Sequence, residues 1–155
     1  MDVILHSTHA WIRDATILLI RYEGTVSALS TCTISLITQT YCQPSDLQSP
    51  VTLSIGNGFY FVGILTDITT LDHSDQGWTL QLTLRPRQWQ LAQTSASRLY
   101  RDMSFKDRLL HCFGEQPVHL QCDADPVSAF QIQHQRSDYD YLQQQASERG
   151  LNWLI

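Results

Sequence analysis

The chain has 155 residues, a formal net charge of −5 and 43% hydrophobic residues. This length suits one ordinary domain or two small ones, and the composition is that of a globular protein rather than a disordered one. The negative charge argues against nucleic-acid binding, which needs a basic face. The first residues lack the basic start and the apolar run of a signal peptide, and no run reaches a membrane span, so we expect cytoplasmic synthesis without direct membrane insertion.

The first half of the chain is predicted to form short antiparallel strands. Residues 15–22 are an almost continuous apolar run, and residues 29–38 alternate apolar with polar side chains. Two further runs between residues 51 and 71 are joined by Asn57-Gly58, a dipeptide typical of tight hairpins, and Val62-Gly63 is expected to mark a bulge.

After a turn at residues 72–77, a last strand of this half ends at Pro86. Its apolar residues fall on one face because they alternate along the strand: Trp78, Leu80, Leu82 and Leu84. Together these strands predict a small antiparallel β-barrel over residues 1–88.

The second half changes pattern, and residues 88–100 are predicted to be a connector anchored by Trp89. Two similar units follow. Ser104 and Ser137 each precede a helical pattern with an aspartate three residues later, and Gly114 and Gly150 end the two helices. A strand is predicted after each glycine, at residues 117–122 and 151–155. Residues 89–155 therefore predict a helix–strand–helix–strand portion, and the fold class is α+β, mainly β.

The four cysteines contain no CxxC pair. Cys32, Cys112 and Cys122 fall in phase with apolar neighbours on their predicted elements, so we expect them to be small core residues in a reducing compartment. A metal site could use Cys112 and Cys122 with His111 and His119, but their spacing matches no familiar zinc pattern.

Catalytic motifs are not apparent in the sequence. His73 lies between Asp72 and Asp75 in a predicted hairpin tip, no nucleophile motif occurs, and the glycines form no phosphate-binding loop. We therefore expect no catalytic residue, no cofactor and no metal. A small metal-dependent enzyme using His111, His119 and Cys122 is the least favoured alternative.

Arginine supplies nearly all the positive charge, with Lys106 the only lysine. Arginine is enriched in protein interfaces, which hints at assembly. Arg136 precedes a helix that begins with Asp138 and Asp140, two carboxylates that complement the helix dipole. Arg136 could form a local pair with them or reach a neighbouring subunit, and the sequence leaves both open.

These motifs resemble those of VgrG spike proteins of type VI secretion and of phage tail hub proteins. The segment from 131 to 155 resembles the family stretch written approximately vQYrESDxdFlxRLlEeeGixYxF, and the segment from 80 to 113 resembles an upstream family stretch in the same order. The matching residues include Pro86, Trp89, Arg98, Tyr100, Gln133, Arg136, Ser137, Asp138, Asp140, Glu148 and Gly150.

The resemblance implies β-barrel modules that assemble as a trimeric ring between a tail tube and a spike needle, without catalysis in the hub itself. Family members continue well past the position of Ile155, so the second module is expected to be incomplete, with an unpaired terminal strand. We expect a structural hub or adaptor that binds other copies of itself, with a trimer as the family expectation. We also expect it to bind tube, baseplate or spike proteins. The alternative is a stand-alone module that recruits an effector or regulatory partner. The candidate assembly residues are Pro86, Trp89, Arg98, Tyr100, Arg136, Ser137, Asp138, Asp140, Gly150 and Trp153.

Overall fold

The computed structural model describes residues 3–56, 58–114 and 117–154. The chain divides into two units, one ending at Arg87 and the other running from Gln88 to Leu154. Strands dominate and helices are few, so the predicted α+β, mainly β class is confirmed. Within the described residues, no helix is both long enough and apolar enough to cross a membrane.

The first unit is one six-stranded antiparallel sheet that curls into a half-barrel. A short helix, α1 (Ala10–Arg13), joins its two edge strands. In spatial order the strands are β1, β4, β5, β6, β3 and β2. Their bounds are β1 Val3–Ser7, β2 Thr16–Glu23, β3 Thr31–Thr38, β4 Pro50–Ile55, β5 Phe59–Ser74 and β6 Gly77–Arg85.

The core of this sheet follows the alternation of the sequence. On β3, Ile34 and Leu36 are fully buried, and on β6 Leu80 and Leu82 lie directly opposite them. Every second side chain of these strands points inward because successive residues of a strand face opposite sides. The predicted apolar face of β6 is therefore confirmed, and Pro86 follows its last residue.

The bulge predicted at Val62-Gly63 in this unit is wrong. Gly63 marks no bulge, because it pairs in register with Val51; the sheet instead shifts register between Leu65 and Asp67. A side chain at Gly63 would lie 2.6 Å from the carbonyl oxygen of Arg85, so this glycine serves a close approach of two strands.

The turn after β5 lies within the predicted segment, residues 72–77, and is shorter than that segment. β5 continues to Ser74, which pairs with Gly77, and the His73 ring stacks on Trp78 with 3.8 Å between centroids. The other predicted hairpin turn includes Asn57, which lies outside the described residues; the strands that flank it pair antiparallel, with Ile55 opposite Phe59.

The second unit has the order strand–helix–strand–helix, not helix–strand–helix–strand. The segment predicted as a connector holds a 3-10 turn, Arg87–Ala92, and then a nine-residue strand. The elements are β7 Ser95–Met103, α2 Phe105–Phe113, β8 Ser128–Ser137 and α3 Asp138–Glu148. The two strands form their own antiparallel sheet.

The strands predicted after the two helices are wrong for the residues that the structure describes. Residues 117–122 and 151–154 form no strand, and Ile155 lies outside the described range. Leu120, Leu151 and Trp153 are half-buried against an aromatic core that contains Tyr100 and Phe105. Their alternation therefore reflects packing on this core rather than pairing with a neighbouring strand.

The burial of the cysteines agrees with the prediction only in part. Cys32 is buried in the first core, and this burial raises the pKa of its thiol to about 11. Cys112 is half-buried. Cys122 is exposed, so its predicted core position is wrong, because the segment that carries it is not a strand of the sheet.

Candidate assembly site

The two helices of the second unit begin as predicted. The Ser137 hydroxyl oxygen accepts the backbone N–H of Asp140 at 3.0 Å and donates to the Asp140 carboxylate at 2.7 Å. The Ser104 hydroxyl oxygen accepts the N–H of Asp107 at 3.2 Å, and the Asp107 carboxylate accepts the N–H of Ser104 at 2.9 Å. Hydrogen bonds from the Ser104 side chain and backbone lower the pKa of Asp107. Both caps satisfy N–H groups that the first helical turn leaves unpaired.

Strands β7 and β8 place polar side chains toward the helices. Arg98 lies opposite Gln133, and the register shifts between Ala96 and Arg98. Gln133 is fully buried and Arg98 is half-buried, whereas Leu99 between the inward positions is exposed. Asp138, the first residue of α3, directly follows β8 and faces the same interior.

Four of these side chains form one hydrogen-bonded group, here called the Asp138 network: Arg98, Tyr100, Gln133 and Asp138. The Asp138 carboxylate accepts hydrogen bonds from Arg98 and, at 2.8 Å, from the Gln133 amide. That amide also donates to the Arg136 carbonyl at 2.9 Å, and its oxygen accepts the Tyr100 hydroxyl at 2.8 Å. Every polar atom of the buried Gln133 side chain is therefore paired, as burial requires.

Tyr100 extends this network into the aromatic core. Its ring stacks on Tyr141 with 5.4 Å between centroids, and its hydroxyl lies 3.6 Å from the Cys112 sulfur. Burial raises the pKa of Tyr100 to about 12, although Arg98 acts in the opposite direction. The hydroxyl therefore remains a protonated donor at neutral pH. Burial also raises the pKa of Cys112.

The arginine that contacts Asp138 is Arg98, which the sequence interpretation did not pair with it. Arg136 is exposed, and its side chain contacts Gln144. The interpretation that Arg136 reaches a neighbouring subunit stays a prediction. Arg98 and Asp138 are 40 residues apart, so no local spacing could have revealed their contact.

The sequence interpretation did not identify a second important carboxylate, Asp125. It accepts the backbone N–H groups of Phe105 at 2.8 Å and Lys106 at 2.9 Å, and it lies 3.6 Å from the Arg149 guanidinium. Burial alone would raise the pKa of Asp125, but the N–H groups of Lys106 and Phe105 outweigh it and lower the pKa. Asp125 thus joins the loop before β8 to the start of α2 and the end of α3.

Four of the remaining candidate assembly residues are buried or half-buried, or lie in a turn or just after a helix. Pro86 is fully buried, and Trp89 lies half-buried in the 3-10 turn. Gly150 has φ +66° just after α3, and the Trp153 indole donates to Gln143 at 2.8 Å. Whether any of them contacts a partner stays a prediction.

The candidate metal ligands do not assemble. In the described part of the chain, no group of three or more histidine, cysteine or carboxylate side chains is placed to hold a metal ion. His111, His119 and Cys122 are each exposed.

Comparison with known proteins identifies the family. The model of a family described as phage tail baseplate hub (GPD) matches residues 23–155. A search of curated proteins gave no match.

Two solved structures share the fold. One is the Escherichia coli c3393 protein, described as a type VI secretion component similar to the T4 tail proteins gp27 and gp5; its TM-score is 0.79 at 14% identity, over 96% of this chain and 43% of that one. The other is a 43 kDa tail protein of prophage MuSo2 from Shewanella oneidensis, with a TM-score of 0.61 at 16% identity, over 97% of this chain and 48% of that one. This chain spans less than half the length of either. By its sequence match, the chain belongs to the phage tail baseplate hub family.

Proposed function

We propose that this chain is a structural, non-enzymatic hub or adaptor component of a contractile injection apparatus, acting by protein–protein assembly. The observation that carries this proposal is the hub family match over residues 23–155. Both structural relatives are described as components of such machines, one from a secretion system and one from a phage tail. We also propose that the chain is synthesised in the cytoplasm and later incorporated into the apparatus.

The contacts of the motif residues support a scaffold role. Arg98, Gln133 and Asp138 bind one another, and Ser137 binds the start of its own helix. Groups that are paired in this way fix the geometry of the strands and α3, and they are not poised to act on a substrate. A scaffold that holds its surface in one shape is what assembly requires.

The partners that we propose are other copies of this chain, as a homotrimer, and tube, baseplate or spike proteins. The chain covers less than half of each structural relative, so the roles of their remaining parts are not assigned to it.

The test is capture of purified tube and baseplate proteins of the same apparatus by the tagged chain, combined with its mass by light scattering. We expect a trimer that retains at least one of these proteins. Arg136→Glu should weaken capture, whereas Arg21→Glu on the first sheet, where the side chain is 74% exposed, should not. A strict monomer at high concentration that captures neither class of protein would contradict the proposal. Capture only of proteins outside the apparatus would favour the stand-alone recruiting module.

A further inference from the structure

The guanidinium of Arg108 is buried in the second unit with most of its donors unpaired. Arg108 lies on α2 and is fully buried. Its Nη1 donates to the Met103 carbonyl at 2.8 Å, whereas its Nε and Nη2 have no hydrogen-bond partner among the described residues. Nε and Nη2 form one edge of the planar guanidinium, and this edge matches the two oxygens of a carboxylate. The unpaired part of Arg108 is therefore the part that binds a carboxylate side-on.

The charge of this guanidinium is not neutralised within the described part of the chain. None of the ion pairs formed there includes Arg108. Three carboxylates of the same unit bind other groups: Asp125 accepts two backbone N–H groups, Asp138 accepts Arg98 and Gln133, and Glu148 accepts Gln144 and Gln145. A guanidinium keeps its proton inside a protein, and a buried charge without a partner is strongly destabilising. Arg108 therefore leaves a positive charge to be neutralised by a bound group.

A second unpaired donor, the Tyr141 hydroxyl, lies within range of this charge. Tyr141 is on α3 and is 3% exposed, and its hydroxyl has no hydrogen-bond partner among the described residues. Burial raises the pKa of Tyr141, and the positive charge of Arg108 acts in the opposite direction. The hydroxyl therefore stays protonated at neutral pH and is able to donate. Helices α2 and α3 thus both contribute unpaired donors to the same core.

Aromatic rings surround these donors. The Phe105 ring centroid lies 6.0 Å from Cζ of Arg108, and the Tyr100 ring stacks on Tyr141. The unpaired nitrogen and oxygen atoms are enclosed by protein, so bulk water does not solvate them. A hydrogen bond to a charged group is stronger in such apolar surroundings than in water. The surroundings favour a small occupant with a negative charge.

We propose that Arg108 and Tyr141 form a binding site for a small carboxylate. The carboxylate accepts two parallel hydrogen bonds from Nε and Nη2 of Arg108 and a third from the Tyr141 hydroxyl, and its charge neutralises the guanidinium. It reaches these donors when α2 and α3 separate in a small local opening. A planar carboxylate fits the two-nitrogen edge better than a spherical chloride ion, and it is smaller than phosphate. Two sources supply this group, a free anion or an acidic side chain of another polypeptide.

Thermal melting and NMR of the whole chain test the site, with sodium formate as the probe and sodium chloride at equal ionic strength as the reference. We expect formate at about ten times its Kd to raise the Tm by about 3–6 °C, because a ligand that binds only the folded state stabilises it. Chloride should not raise the Tm by as much. In the arginine side-chain region of the proton–nitrogen spectrum, formate should shift the Nε–H signal of Arg108, which the Arg108→Met variant lacks.

Three variants separate the site from a general salt effect. Arg108→Met should lose the formate response, and it should fold and melt at or above the wild-type Tm without formate, because it removes an unpaired buried charge. Arg149→Met is the matched control and should keep the response, since Arg149 also lies beside Phe105, with Cζ 5.2 Å from the ring centroid. Tyr141→Phe should raise the Kd for formate about tenfold or more, because a hydrogen bond to a charged group is lost.

The outcomes that contradict the site are defined. Equal effects of formate and chloride, a formate response that survives Arg108→Met, or no response at all would overturn the inference. N-acetylaspartic acid α-amide, a capped aspartate, distinguishes the two sources. A site that takes formate but not the capped aspartate binds a free small carboxylate, whereas a site that takes both accepts a side chain of another polypeptide. The inference concerns the second unit alone, so it can fail while the proposed function stands.

Discussion

The two sheets of this chain place opposite kinds of side chain on their inner faces. In the first sheet the inward residues of β3 and β6, such as Ile34 and Leu82, are apolar and fully buried. In the second sheet the inward residues include Arg98 and Gln133, while Ile132 faces outward. One sheet is stabilised mainly by removing apolar surface from water, and the other depends on a paired polar network.

This difference predicts different responses to substitution. An apolar core loses stability in proportion to the atoms removed, because its contacts are many and individually weak. A buried polar network loses stability when one member leaves its partners unpaired, and it can regain stability when all members become apolar. The first three predictions below separate these two behaviours.

The largest effect is expected in the first sheet. Leu82→Ala should lower the free energy of unfolding by about 2–5 kcal/mol, because it removes fully buried methyl groups and leaves a cavity. Gln81→Ala, one residue away and facing the other side, should cost less than about 1 kcal/mol. Urea unfolding followed by circular dichroism measures both. Equal losses would show that the first sheet is not the apolar core described here.

The Asp138 network should lose stability for a different reason, namely that a substitution leaves polar partners unpaired. Asp138→Leu should lower the free energy of unfolding by about 1–3 kcal/mol, because Arg98 and the buried Gln133 lose their acceptor. Arg98 contributes the smaller part of this loss, because its side chain is 38% exposed and therefore partly solvated.

A triple variant sharpens the comparison. Arg98→Met, Gln133→Leu and Asp138→Leu together should recover part of the loss caused by Asp138→Leu alone, because the Arg98 charge is then no longer left without its carboxylate. Only the Tyr100 hydroxyl and the Arg136 carbonyl lose the Gln133 side chain as a partner. The same urea titration measures it. A triple variant that is less stable than the single one would indicate that the network also sets the packing of β7, β8 and α3, and that no apolar set fits its place.

The same contrast explains what the sequence could predict. The first sheet follows from apolar alternation, and the helix starts at Ser104 and Ser137 follow from caps that span three residues. Strands β7 and β8 could not be predicted from apolar alternation, because their inner positions are polar. Their apolar residues, such as Phe130, face outward. Alternation identifies an inner face only where that face is apolar.

The candidate site shows the same limit. Its individual residues could be named from their motifs, but the contacts between them could not. Arg98 and Asp138 lie 40 residues apart, and Asp125 lies 20 residues from the Phe105 N–H that it accepts. Sequence spacing predicts partners within one helical turn or one hairpin, whereas these contacts depend on how β7, α2 and β8 pack.

A smaller effect is expected at Asp125. Asp125→Asn should lower the free energy of unfolding by about 1 kcal/mol, because the amide binds the N–H groups of Phe105 and Lys106 less strongly than a carboxylate does. Asp123→Asn, exposed and two residues away, is the matched control. Chemical unfolding at pH 7 measures the difference.

The effect of Asp125 should depend on pH in a defined direction. Its pKa is lower in the folded than in the unfolded chain, so its contribution is fully present above the unfolded carboxyl pKa of about 3.9. It is lost as the pH falls through the lower folded pKa. The gap between wild type and Asp125→Asn should therefore be constant between about pH 5 and 8 and close in more acidic solution. An unchanged gap at low pH would show that charge is not the cause.

An effect as small as that of Asp125→Asn is expected at Gly150, where α3 ends. Gly150 has φ +66°, and the next residue, Leu151, donates its N–H to the Ala146 carbonyl at 2.9 Å. Among the described residues, no atom beyond the two chain neighbours of Gly150 lies within 4 Å of an added Cβ. The cost of Gly150→Ala is therefore confined to the backbone conformation, about 1 kcal/mol. Gly150→Asn should cost less, because asparagine tolerates positive φ. Thermal melting of the three proteins, compared at one pH, checks this order. Equal melting temperatures for the alanine and asparagine variants would indicate that the helix end rearranges and that Gly150 does not fix it.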